Sequence, residues 1–192
     1  MVTVLTALLT ASIALLGYWL TYQNNIRLAR RVERLERINR QLGEFYGPLL
    51  AIVSVGQRIF QAHQIRPRRE RVKPPDITDP EVRAWMKAVF MPNNERLYEL
   101  VLTKAHLLVD RQMPDCLLQL CAHVAAYRAI MNLPEDVGNT AEISPIPFPQ
   151  DDLISYARER FLLLRREQAR LMKALGEDPE ELPGANNDKS FR

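Results

Sequence analysis

The sequence is poor in the residues that build catalytic loops and cross-links. Seven glycines in 192 residues leave little for a phosphate-cradling loop, and neither G-x-x-x-x-G-K nor G-x-G-x-x-G occurs. The two cysteines, Cys116 and Cys121, fall in one expected helix but on different faces. A disulfide between them is geometrically poor, and they read as small apolar residues in a reducing compartment. No alternating apolar and polar run of useful length is present, which excludes a sheet. Basic residues interleaved with aromatics are missing, so no nucleic-acid partner is expected. The first 22 residues contain no Asp, Glu, Lys or Arg.

That uncharged segment is the chain's most informative stretch. Val2 to Tyr22 reaches roughly 31 Å as a helix, the thickness of a bilayer core, and reads as a single transmembrane helix over residues 1–22. A cleaved signal would want a basic lead-in and a shorter apolar core, and a buried soluble helix is rarely apolar on all faces for so long. Thr3, Ala7 and Ala11 place small residues on one face, where two spans would approach closely. Arg27, Arg30, Arg31, Arg34, Arg37 and Arg40 follow the run and no basic residue precedes it. The positive-inside rule then puts the N-terminus outside and the C-terminal domain on the cytoplasmic face of the inner membrane. Tyr18, Trp19 and Tyr22 suit the headgroup layer at that end.

Beyond the span, Leu28, Leu35, Leu42 and Leu49 recur every seventh residue, and Ile38, Phe45 and Ile52 fall three places after the last three of them. This is the a/d signature of a helix seam. Glu33 with Arg37 and Glu36 with Arg40 support the exposed face at i,i+4 spacing. Gly47-Pro48 interrupts residues 23–65, and a proline there either kinks the helix or reverses the chain. The seam keeps its phase across the break, which favours a kinked, continuous helix.

Residues 66–78 form a basic, proline-rich linker, with Arg66, Arg68, Arg69, Arg71 and Lys73 set among Pro67, Pro74 and Pro75. Residues 23–73 hold twelve Lys/Arg against four Asp/Glu, whereas residues 74–192 hold fourteen against nineteen. The basic part is thus the membrane-proximal part, which favours anionic lipid as a contact. Residues 79–176 are expected to form a helical bundle packing on 40–65, of a size for one modest core. A helix starts at Thr78-Asp79-Pro80-Glu81, runs to about Met91 and buries Trp85, Val89 and Met86. A second opens at Pro92-Asn93-Asn94-Glu95, with Leu97, Leu100, Val101, Leu107 and Leu108 as its stripe. A third, the most hydrophobic, runs from Pro114-Asp115 to about Asn132. After a proline-rich crossover, the last helix starts at Pro149-Gln150-Asp151-Asp152, buries Leu153, Ala157, Phe161, Leu164, Gln168, Leu171 and Leu175, and stops at Gly176. Residues 177–192 read as a disordered tail. The fold class is all-α: a span, its long kinked extension and a bundle.

No catalytic constellation stands out. There is no G-x-S-x-G elbow, and Asp151 and Asp152 are adjacent on a helix and so point apart. His106 and His123 lie on consecutive helices with Glu95, Asp110, Asp115 and Cys121 near in sequence, which makes them the weak metal or pocket candidates. The i,i+3 or i,i+4 pairing that announces a metal site is lacking, and no cofactor is implied.

Glu44-Phe45-Tyr46-Gly47-Pro48-Leu49-Leu50, Phe90-Met91-Pro92-Asn93-Asn94-Glu95, Met113-Pro114-Asp115 and His123-Val124-Ala125-Ala126-Tyr127 together resemble a group of short helical bacterial proteins, often membrane-anchored, that have no assigned activity. The resemblance covers most of residues 40–175 and implies architecture only. The expected function is a membrane-tethered interaction or scaffold module whose seam binds a protein partner or a second copy. The alternatives are a helical-bundle enzyme or ligand-binding protein using His106 and His123, and a lipid-surface sensor using the Arg66 to Lys73 patch.

Overall fold

The computed structural model describes residues 2–64, 80–132 and 146–176, and only the backbone of 2–11, 63, 64, 81 and 82. Every regular element among the described residues is helical, so the chain is all-α. The basic linker, the tail and residues 133–145 of the proline-rich crossover lie outside the described residues.

Helix α1 runs unbroken over Val2–Gln41 and passes through a single wide π turn, Leu42–Tyr46, into α2, Gly47–Gln64. Gln41 and Gly47, on either side of that turn, both keep right-handed helical angles, so the chain does not reverse at Gly47-Pro48. Proline 48 has no N–H to offer the ladder, and the turn widens so that the Gly47 N–H reaches back five residues to the Leu42 carbonyl. The extra residue slips the phase of the buried stripe. Phe45 and its neighbour Tyr46 are both fully buried, and further on Val53 is buried at 3% where the heptad expects Ile52, which is half-buried.

The same device recurs at the second proline. Helix α3, Pro80–Trp85, widens into a π turn at Met86–Phe90 and continues as α4, Met91–Lys104, with the Met91 N–H reaching the Met86 carbonyl just before Pro92. The two helices expected on either side of Pro92 are therefore one continuous helical run. Trp85, Met86 and Val89 are half-buried rather than core. A short 3-10 turn, Ala105–Leu107, ends this run.

Helix α5, Asp115–Met131, follows an extended Pro114 whose carbonyl accepts from the Leu117 and Leu118 N–H groups. Leu117, Leu120, Val124 and Ile130 are its core face, whereas Leu118 is 52% exposed. Helix α6, Gln150–Leu175, opens with Asp151 and Asp152, which favour the positive end of its dipole. It ends at Gly176, whose φ of 87° suits a residue without a Cβ. Leu153, Ala157, Leu164 and Leu171 are buried on the expected face, with Phe161, Gln168 and Leu175 half-buried and Ile154 and Met172 added to the core.

The chain divides into two compact units, residues 40–164 and residues 1–39 with 165–192. In the larger unit Leu42, Phe45, Tyr46, Leu49 and Val53 meet Met91, Leu97, Val101, Leu107, Leu117, Leu120, Val124, Leu153 and Ala157 in one apolar core. Each fully buried Leu or Phe there contributes about 1.5–3 kcal/mol relative to exposure. In the smaller unit the second half of α1 pairs with the last turns of α6. Arg34 bridges to Glu167 at 2.8 Å, and Gln168 donates to the Asn39 side-chain oxygen at 2.6 Å.

Among the described residues no helix is long and apolar enough to cross a membrane. Of the Val2–Tyr22 run, side chains are described only for 12–22, which span about 16 Å, roughly half a bilayer core.

Candidate functional site

Among the described residues of the larger unit, the densest polar arrangement is a clamp on the segment that follows α4. Five side chains hold residues 104–110. Gln41, 5% exposed, donates from Nε2 to the Leu107 carbonyl at 2.9 Å. Lys104 Nζ meets Glu44 Oε2 at 2.6 Å on the surface, which holds the Glu44 carboxyl below its usual range. The Val109 N–H donates to the Tyr46 hydroxyl at 3.1 Å, which lies 3.2 Å from the Tyr156 hydroxyl. Tyr156 donates to Asp110 Oδ2 at 2.9 Å, and Arg160 Nη2 holds Asp110 Oδ1 at 2.7 Å.

The proton directions follow from these partners. Tyr156 gives its hydrogen to the carboxylate, so Tyr46 must give its own to Tyr156, and the Tyr46 oxygen is left to accept from Val109. The result is a one-way chain from a backbone amide through two phenols to an acid. Burial is the main reason both hydroxyls are held above the ordinary tyrosine range, and for Tyr156 the shift is large because the neighbouring Tyr46 and Asp110 oppose a phenolate. Both phenols therefore act as neutral hydrogen-bond groups and not as bases. The arrangement fixes a turn.

Tyr46 owes its place to the widened turn before Gly47, and Tyr156 and Arg160 stand four apart on one face of α6. The four-residue spacing is visible in the sequence. The union of Tyr46 with Tyr156, 110 residues away, carries no periodic signal.

His123 sits elsewhere, inside α5, at 5% exposure. Its Nδ1 lies 2.6 Å from the Ile146 carbonyl, so the proton is there, and Nε2 faces the Asn94 amide at 3.4 Å as acceptor. The ring packs on Tyr127 and Phe148, with centroids 4.4 and 5.3 Å away. Burial lowers its pKa. His106 is exposed on the 3-10 turn, Glu95 pairs with Arg128 at 3.2 Å, and Asp115 is exposed at the start of α5. Asp110, Glu95 and His123 thus have three separate sets of partners. Among the described residues no group of three or more His, Cys, Asp and Glu side chains is arranged to hold a metal ion. Cys116 and Cys121 are free thiols, half-buried, and burial pushes both up.

The expected seam divides along its length. Phe45 and Leu49 are fully buried, Ile38 and Leu42 are 4% and 8% exposed, Leu35 and Ile52 are half-buried, and Leu28 is 48% exposed. Its C-terminal part, from Ile38 on, is core, and its N-terminal end at Leu28 is uncovered. Arg66, Arg68, Arg69, Arg71 and Lys73 lie outside the described residues. Set against family models, curated proteins and solved structures, the chain matches none of them.

Proposed function

We propose that the chain is a membrane-anchored helical interaction module. In this reading α1 crosses the bilayer with residues 2–22, the N-terminus lies outside, and the helical bundle stands on the cytoplasmic face of the inner membrane as a platform for a protein partner or a second copy.

One observation carries the reading. Ile13, Leu15, Leu16, Tyr18, Trp19, Leu20 and Tyr22 are each between 53% and 73% exposed. At about 100° per residue these seven positions cover roughly 220° of the helix, and the remaining arc holds Gly17, Thr21 and Ala14, so the segment has no charged face to turn to water. Lipid covers such a helix on every side, which a single protein partner does not. Thr21 fits the same environment, because its hydroxyl donates to the Gly17 carbonyl at 2.9 Å and so satisfies itself on its own helix. The resemblance to membrane-anchored helical proteins points the same way, as does the row of arginines from Arg27 onward.

Fractionation of cells expressing the full chain tests this directly. The protein is expected in the membrane pellet after alkaline carbonate washing, with its C-terminal half protected from protease in intact cells. Release by carbonate, or cleavage of the bundle from outside, would overturn the proposal.

A further inference from the structure

The smaller unit brings a second set of basic residues to the foot of α1. Arg31 donates from Nη1 to the Ala174 carbonyl at 3.5 Å, while farther along α1 Arg34 reaches Glu167 and Asn39 reaches Gln168. Arg31 meets residue 174 of α6 whereas Arg34 and Asn39, farther along α1, meet residues 167 and 168, so the two segments run antiparallel and the last turn of α6 lies level with Arg31. A helix end of this kind exposes carbonyls and partial negative charge, which an anionic surface would repel. Here Arg31 caps it and Lys173 stands beside it. Over residues 23–39 and 165–176 the unit holds nine Lys/Arg against three Asp/Glu. Arg27, Arg30 and Lys173 are exposed and make no ion pair among the described residues.

Distance from the apolar run decides which of these charges matter. Arg27, Arg30 and Arg31 follow Tyr22 by about 8, 12 and 14 Å of helix, and Arg37 by about 22 Å. Headgroups add roughly 5–8 Å to each side of the hydrocarbon core, and their potential fades over a further Debye length of about 8–10 Å. The first three arginines fall within that reach and Arg37 does not.

We propose that the last turn of α6, docked against Arg31, completes with Arg27 and Arg30 a basic collar that binds anionic phospholipid headgroups, with Lys173 as the contribution of α6. The collar rests on the reading that α1 spans the bilayer. Its residues are not those of the Arg66 to Lys73 stretch, and α6 joins it from more than a hundred positions away in the chain.

The test uses the full chain carrying Trp85→Phe, so that Trp19 is the sole fluorescence donor. It is reconstituted in phosphatidylcholine vesicles containing a trace of dansyl-labelled phosphatidylglycerol or dansyl-labelled phosphatidylcholine. Energy transfer is expected to favour the anionic probe at low salt, and the preference to vanish near 1 M salt, where the Debye length is about 3 Å. Arg27→Gln/Arg30→Gln/Lys173→Gln is expected to abolish the preference, Lys173→Gln to lose part of it, and Arg37→Gln to retain it. Equal transfer to both probes in the parent protein overturns the collar. A preference that survives Lys173→Gln intact but falls with Arg27→Gln/Arg30→Gln removes α6 from it. No transfer to either probe means that Trp19 is not at a bilayer, which overturns the membrane reading itself.

Discussion

A methyl group at position 47 would meet the Leu42 carbonyl oxygen at 2.6 Å, backbone against backbone. In an ordinary helix interior Gly→Ala stabilises by about 0.5–1 kcal/mol, because glycine gives up more freedom on folding. At Gly47 the sign reverses, since the widened turn has to open for the new atom. Gly47→Ala is expected to destabilise by about 1–3 kcal/mol, read as a lower urea midpoint at unchanged slope. Gly56→Ala, in α2 with nothing within 4 Å of its Cβ, is the opposite case and should raise the midpoint. Equal shifts at the two positions would remove the close approach as the cause. His123 supplies a second prediction at this scale. Burial lowers its folded pKa from the ordinary 6.5, so the unfolded chain takes up a proton that the folded chain refuses. The stability this group contributes is complete above about pH 6.5 and is lost as the pH falls from there through the folded pKa. A melting temperature that declines below pH 6.5, and declines less in His123→Gln, is the expected result. A parallel decline in both proteins would place the titration elsewhere.

The two widened turns show which parts of the helices the sequence announces and which it does not. Proline at 48 and at 92 is plain to read, and each suggests a kink or a fresh helix start. What the residues do not announce is that the backbone takes up one extra residue and stays helical, which moves the buried position from Ile52 to Val53 and admits Tyr46 to the core. The face and end of α6 were legible because Leu153, Ala157, Leu164 and Leu171 keep helical spacing and Gly176 stops the helix. The clamp on residues 104–110 was not, because it joins side chains from three distant stretches that share no common spacing. Its hydrogen-bond order yields a ranking. Tyr46→Phe leaves the Val109 N–H and the Tyr156 oxygen each short of a partner, whereas Tyr156→Phe takes the acceptor from the Tyr46 O–H but leaves the backbone amide on the Tyr46 oxygen and Asp110 on Arg160. Tyr46→Phe should therefore cost more, on the order of 1–3 kcal/mol, and should speed hydrogen exchange at the Val109 amide. Unchanged exchange there would show that the amide is held by something other than the phenol.

For the molecule as a whole, the seam supplies two different things along its length. From Ile38 to Val53 it is spent on the chain's own core, so it has nothing left to offer a partner. Nearer the apolar run, Leu28 and Val32 are 48% and 42% exposed, and Leu28 continues a seven-residue spacing that runs through Ala14, Thr21 and Leu35. Small residues in the apolar run and larger apolar ones just beyond it are what two parallel helices need to approach closely within lipid and to bury side chains outside it. A second copy engaged through this face would bring its own Leu28 opposite the first. In vesicles, and in a background of Cys116→Ser and Cys121→Ser, Leu28→Cys is then expected to give disulfide-linked dimers, Leu35→Cys fewer, and Leu42→Cys none. Adding Val32→Lys should suppress the Leu28→Cys dimers, because it sets two like charges in the same interface. Cross-linking at position 42 as efficient as at 28 would mean that the core opens for a partner. No cross-link at either position, from a protein that still resists carbonate extraction, would leave this face to a different protein, since its apolar side chains still need cover.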